Sequence, residues 1–223
     1  MLDILHVKIN RHLKLWLYMF QSHSDMMFLQ VLVAVFVIAD PFGNTPIFLA
    51  LTEGLDSSTR RKIISKAVFI ATATLILFGM MGKALLGLLG ISIASFRIAG
   101  GILLLITALQ MLFGSPKAEP YLDDWEGIAV VPLAIPLLAG PGTITSVMVF
   151  MSAAMTIIDR ISVLAAIVIA MLGTWAILLN ADRLYVILKR EGTIYLTKIM
   201  GIILSAIGTE MILHGVKGYF YTV

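Results

Sequence analysis

The stretch Asp40-Pro41-Phe42-Gly43-Asn44-Thr45-Pro46 interrupts an apolar run, residues 28–55, that otherwise reads as a single membrane helix. Pro41 and Pro46 lack an N–H and clash with a regular helix, and Gly43 permits unusual dihedrals. Asp40 adds a carboxylate to apolar surroundings. A helix broken at membrane depth is tolerated only where protein or a water-filled cavity satisfies the freed backbone groups, so this stretch is a candidate binding site.

The surrounding composition is that of an integral membrane protein. Of 223 residues, 60% are hydrophobic and only 13% charged, against about 25% charged in soluble domains, and the mean hydropathy is +1.00. Several uncharged runs approach the roughly 20 residues a helix needs to cross the hydrocarbon, and no alternating pattern suggests a barrel, so the expected class is an all-α bundle. There is no cysteine, which removes disulfides, thiolate metal sites and cysteine nucleophiles. The net charge of +3 is accounted for by cytoplasmic loops rather than nucleic acid.

Residues 1–26 form a basic amphipathic tail suited to the membrane interface, without a signal-peptide cleavage pattern; Met26 or Met27 is an alternative beginning. The first span, 28–55, carries the break. A polar loop with helix-capping hydroxyls follows, then spans at 63–89 and 95–113. Residues 115–126 are the polar linker between halves, 27–114 and 127–223. The fourth span, from residue 127 to 154, contains a second break, Gly140-Pro141-Gly142-Thr143-Ile144-Thr145. Spans at 161–180 and 197–215 complete six, with a loop carrying Arg183, Lys189 and Arg190 between them.

Shifted by 101 residues, the segment 97–114 overlies 198–215 with seven of eighteen positions identical, including Gly100 on Gly201 and Gly114 on Gly215. Nearly the same shift puts the Pro41–Gly43 break on Pro141–Gly142. Three spans per half force the second half into the membrane upside down, the inverted-repeat plan in which substrate binds near the midplane between discontinuous helices. From 28 to 40 and from 128 to 140 are thirteen residues each, or roughly 20 Å of helix, so both breaks lie deep. Re-entrant hairpins in place of spans 1 and 4 are the alternative. Lys and Arg concentrate on the side of Arg60, Arg61, Lys62 and Arg183, which predicts both termini outside the cytoplasm.

At Asp40-Pro41-Phe42-Gly43-Asn44-Thr45-Pro46-Ile47-Phe48, at Arg97-Ile98-Ala99-Gly100-Gly101-Ile102 and at residues 131–143, VPLAIPLLAGPGT, the chain closely resembles the MarC/SnatA family of prokaryotic membrane proteins. The resemblance runs from about residue 27 to the end, and the long N-terminal tail departs from the short family N-terminus. It implies a multi-pass inner-membrane protein; an archaeal branch is associated with proton-coupled transport of small neutral amino acids such as glycine and alanine.

For such a zwitterion the site must supply a partner for each charge. The helices starting after Gly43 and Gly142 offer free N–H groups to a carboxylate. Unwound carbonyls near Gly140, or Asp40 itself, suit the ammonium, and Asn44, Thr45, Thr143 and Thr145 complete a small polar cup. An ionised carboxylate is costly to bury, so Asp40 also suits proton coupling; otherwise it caps the following helix or pairs with Arg97. Glu210, deep in span 6, is either a second proton-coupling site or a structural hydrogen-bond partner. Both breaks also read as kinks that aid packing. Thr107 and Gln110 read as interhelical hydrogen-bonding residues.

The sequence thus points to a secondary transporter working with protons and a small neutral amino acid in the bilayer. No cofactor or metal is implied, and no nucleic-acid partner. A non-transporting sensor or assembly protein and a channel are the alternatives. An intramembrane enzyme is disfavoured by the absence of HExxH, GxSxG and cysteine.

Overall fold

The computed structural model describes residues 23–113 and 129–221; the N-terminal tail up to residue 22 and the linker 115–126 lie outside the described residues. Every described element is helical: α1 (His23–Ala39), α2 (Pro41–Leu51), α3 (Ser57–Leu88), α4 (Ile93–Phe113), a π-helix (Ala129–Leu138), α5 (Pro141–Ala153), α6 (Ile157–Leu179) and α7 (Ala181–Tyr221). Among the described residues five stretches are long and apolar enough to cross a membrane: Asp25–Leu51, Ser57–Leu88, Ile93–Phe113, Ile157–Leu179 and Glu191–Phe220. At 13 residues, α5 is too short to cross alone. Large apolar side chains such as Leu77, Met80, Ile106 and Ile202 point outward, as lipid-facing residues do.

Local chemistry explains the helix ends. Asp56 caps α3 by accepting from the Ser58 and Thr59 backbone nitrogens at 2.9 and 3.2 Å. The neighbouring hydroxyls are not themselves the cap; they donate to the same carboxylate. These bonds, the Thr59 and Ser58 hydroxyls foremost, hold the Asp56 carboxyl well below the usual range. Gly90, at φ 67, stops α3, with Ile91 N donating to Leu86 O and Gly90 N to Gly87 O, the double bond of a Schellman turn. Thr156 and Asp159 open α6 with a reciprocal capping box.

Two elements differ from the sequence reading. The expected loop between spans 5 and 6 is largely helical: a helix starts directly after Asn180 and meets the helix of span 6 at a kink, the non-helical residue Lys189 (φ 54, ψ −178), the two together forming α7. Residues 181–191 contain neither glycine nor proline, and Asp182 complements the positive helix end. Before the second break the backbone widens into a π-helix. Pro132 and Pro136 have no N–H to donate to an α-helical ladder, and the backbone here pairs i→i−5, as in Ala139 N to Ala134 O at 2.9 Å.

The segments that repeat in sequence pack antiparallel. Cβ atoms built on Gly215, Gly208 and Gly201 of α7 would meet the backbone at Ala94, Gly101 and Ala108 of α4 in turn, so one helix descends as the other rises. Small residues permit this approach, as between membrane helices generally. Other pairings recur in the two halves: α2 packs on α7 as α5 packs on α4, and α1 packs on α6 as the π-helix and α5 pack on α3. Among the described residues neither α1 with α2 nor the π-helix with α5 forms a packed pair. The main apolar core joins Val31, Val35, Leu75, Val147, Val163 and Ile167, while Ile38, Leu104, Ala108 and Leu204 form a separate small cluster.

Candidate functional site

The first break is one residue wide. Asp40 adopts a left-handed conformation (φ 43, ψ 64) between α1 and α2, which Asp tolerates better than most residues. Its Oδ1 accepts from Gly43 N at 3.0 Å, realising the cap expected as one alternative. Its Oδ2 is buried with no hydrogen-bond partner, and the residue is 2% exposed. Asp40 forms no ion pair with Arg97. Gly43 is required by space: a Cβ there would run into Asp40 Oδ2 and the Met111 methyl. Phe36 and Phe42 pack edge to face across the break with centroids 6.2 Å apart.

The carbonyls freed by the breaks are satisfied from downstream. Asn44 Nδ2 donates to Ala39 O at 2.9 Å, and Thr143 Oγ1 to Leu138 O at 3.3 Å. Thr45 Oγ1 donates to Pro41 O at 2.8 Å and Thr145 Oγ1 to Pro141 O at 2.6 Å, the same bond in both halves. Pro41 and Pro141 each occupy the first helical turn, where a missing N–H costs nothing.

The two breaks share one cavity of about 140 Å³. Asp40 and Asn44 line it from the first half, Gly140, Gly142 and Thr143 from the second; Ile38, Leu137 and Leu204 contribute apolar surface. Gly43, Thr45 and Thr145 do not line it. A wall absent from the sequence reading comes from α4, where Leu103, Thr107, Gln110 and Met111 face the cavity. Their spacing of four, three and one is a helical stripe, the signal that would have assigned them. Gly140 gives the α5 N-terminus no side-chain cap, whereas Asp40 caps α2 with its own carboxylate.

Glu210 lies elsewhere. Its Oε1 is 2.9 Å from His214 Nε2 on the next turn of α7, both side chains more than half exposed, and it lines a second cavity with Arg97. Among the described residues no three His, Asp or Glu side chains converge as metal ligands would.

The chain is similar to known membrane proteins. The family described as MarC family integral membrane protein matches residues 26–220. The chain belongs to the MarC family. A UPF0056 membrane protein of Methanocaldococcus jannaschii is 40% identical over 197 residues, covering 86% of this chain and 96% of the relative. One of Pyrococcus abyssi is 36% identical over 191 residues, covering 84% and 93%, and one of Escherichia coli K12 is 34% identical over 212 residues, covering 91% and 98%. No solved structure matches. The MarC family match, residues 26–220, includes both breaks.

Proposed function

We propose that this MarC family protein is a secondary transporter of a small neutral amino acid, coupled to protons and built as two inverted three-span repeats around the shared cavity. The observation that carries the reading is the contrast between the two helix starts that meet there. At α2 the carboxylate of Asp40 already accepts from the helix N-terminus. At α5 the equivalent N–H groups, those of Gly142 and Thr143, have no side-chain acceptor and border the cavity.

A substrate carboxylate at α5 would make the interaction that Asp40 makes at α2, with the positive end of the helix stabilising it. The ammonium would then turn toward Asp40 Oδ2, the buried oxygen without a partner. A buried ionised carboxylate without a counter-charge is costly. Asp40 is therefore ionised while substrate or another cation is present and protonated when the cavity empties. That exchange couples substrate to protons. The antiparallel α4–α7 pair supports the inverted-repeat plan, in which one repeat rocks against the other. The Lys and Arg bias toward the Arg60 side orients both termini outside the cytoplasm, in a prokaryotic inner membrane.

The test is uptake of radiolabelled glycine and alanine into proteoliposomes under an imposed pH gradient. Saturable uptake that a protonophore abolishes is expected. Conductance without saturation would point to a channel, and a ligand-induced rise in thermal stability without uptake would point to a sensor.

A further inference from the structure

The second cavity, about 350 Å³, lies between α1, α4, α5 and α7 and has one wall residue, Ile38, in common with the midplane cavity. Its surface is mainly apolar, with polar groups from Arg97, Ser146, Glu210 and His214. Arg97 is half-buried and has no ion pair among the described residues. Glu210 and His214 are 66% and 56% exposed at the side chain, well inside the span Glu191–Phe220. Ionisable side chains within a span face the bundle interior or a water-filled cavity rather than lipid, so this cavity is read as an aqueous recess.

We infer that the recess is a vestibule in which Arg97 takes the carboxylate of the amino acid zwitterion, with Ile38 the partition between vestibule and midplane cavity. A guanidinium without an internal carboxylate partner presents its planar fork to an incoming one. Glu210 Oε1 is held by His214, which leaves Oε2 for the ammonium. The Phe150 ring and neighbouring apolar wall accept a short side chain. Ile38 belongs to the small cluster with Leu104 and Leu204, separate from the main core, and stands between the two cavities. The inference rests on the transport reading for its ligand.

The chain contains no cysteine, so Ser146→Cys introduces a unique thiol on the vestibule wall. In proteoliposomes this variant is treated with anionic and with cationic methanethiosulfonates, with and without glycine. The anionic reagent should react faster by about tenfold, and saturating glycine should slow it. Adding Arg97→Gln should abolish both effects, while Arg97→Lys should keep the charge preference and weaken the protection. No reaction at all, no charge preference, or no glycine protection overturns the vestibule site. Glycine uptake by the unsubstituted chain, measured in parallel, reports separately on the transport reading: uptake without protection at Ser146→Cys removes the vestibule alone, and absence of both removes the transport reading as well.

Discussion

Asp40 and Gly43 are bound to each other twice over: the Gly43 nitrogen donates to Asp40 Oδ1 at 3.0 Å, and the missing Cβ of Gly43 is the space in which Oδ2 sits. The glycine holds the carboxylate in place and leaves Oδ2 buried without a hydrogen-bond partner.

Asp40→Asn preserves the acceptor for Gly43 N but cannot cycle between charged and neutral forms. The expected outcome is loss of gradient-driven uptake, with residual exchange of labelled for unlabelled glycine independent of pH. Uptake that still follows the imposed gradient would rule out Asp40 as the coupling group.

Gly43→Ala should be severe, because the added methyl meets the Asp40 carboxylate itself as well as the flexible end of Met111. Overpacking of this kind costs about 1–3 kcal/mol. Thermal unfolding in detergent should fall clearly, and uptake should fall with it. An alanine variant of unchanged stability would mean that the carboxylate has room to turn away.

Thr143 and Thr145 are two residues apart in α5 and both donate to a backbone carbonyl, Leu138 O and Pro141 O, but they differ in their relation to the cavity. Thr143 borders the cavity, while Thr145 is committed to Pro141 O and does not. Thr143→Val should raise the KM for substrate by up to about tenfold, the equivalent of one hydrogen bond. Thr145→Val should lower thermal stability and leave KM near its starting value. The opposite pattern would relocate the site.

Both breaks were legible because proline and glycine in an apolar run violate helix rules so heavily that only a special environment accommodates them. The Asp40 cap followed the same logic. What the sequence concealed were relationships across the bundle. Arg60 Nη1 meets Asp182 Oδ1 at 2.8 Å across 122 residues, and no periodicity announces such a pair. The α4 wall was underread because Thr107 and Gln110 are equally suited to interhelical bonding. The helix after Asn180 was mistaken for a loop because charge suggested solvent, although charged residues are good helix formers at an interface.

Asp56 offers a pH-dependent test outside the membrane spans. Its carboxyl titrates below the usual range in the folded protein, so its contribution is present above the unfolded value, near pH 4. It is lost as pH falls through the lower folded value. Asp56→Ala should therefore lower thermal stability at pH 7, and its difference from the unsubstituted chain should shrink toward zero in strong acid. A difference that stays constant down to low pH would assign the effect to something other than the charged cap.

The contact between α4 and α7 is the place to test how the halves are held. A Cβ on Gly208 would lie 2.9 Å from Gly101 O, and one on Gly101 would lie 2.6 Å from Gly208 O. Backbone faces backbone, so neither side can yield by rotating a side chain, and Gly208→Ala must push the helices apart. The cost should be about 1–3 kcal/mol, seen as a lower melting temperature in detergent. Gly87→Ala is the matched control: its Cβ would meet nothing within 4 Å, and in a helix interior alanine is favoured over glycine by up to about 1 kcal/mol. That variant should melt at the same temperature or slightly higher. If both variants behave alike, the close approach at Gly101 and Gly208 is not what secures the α4–α7 pair, and the antiparallel packing must be held by the Leu104–Leu204 cluster instead.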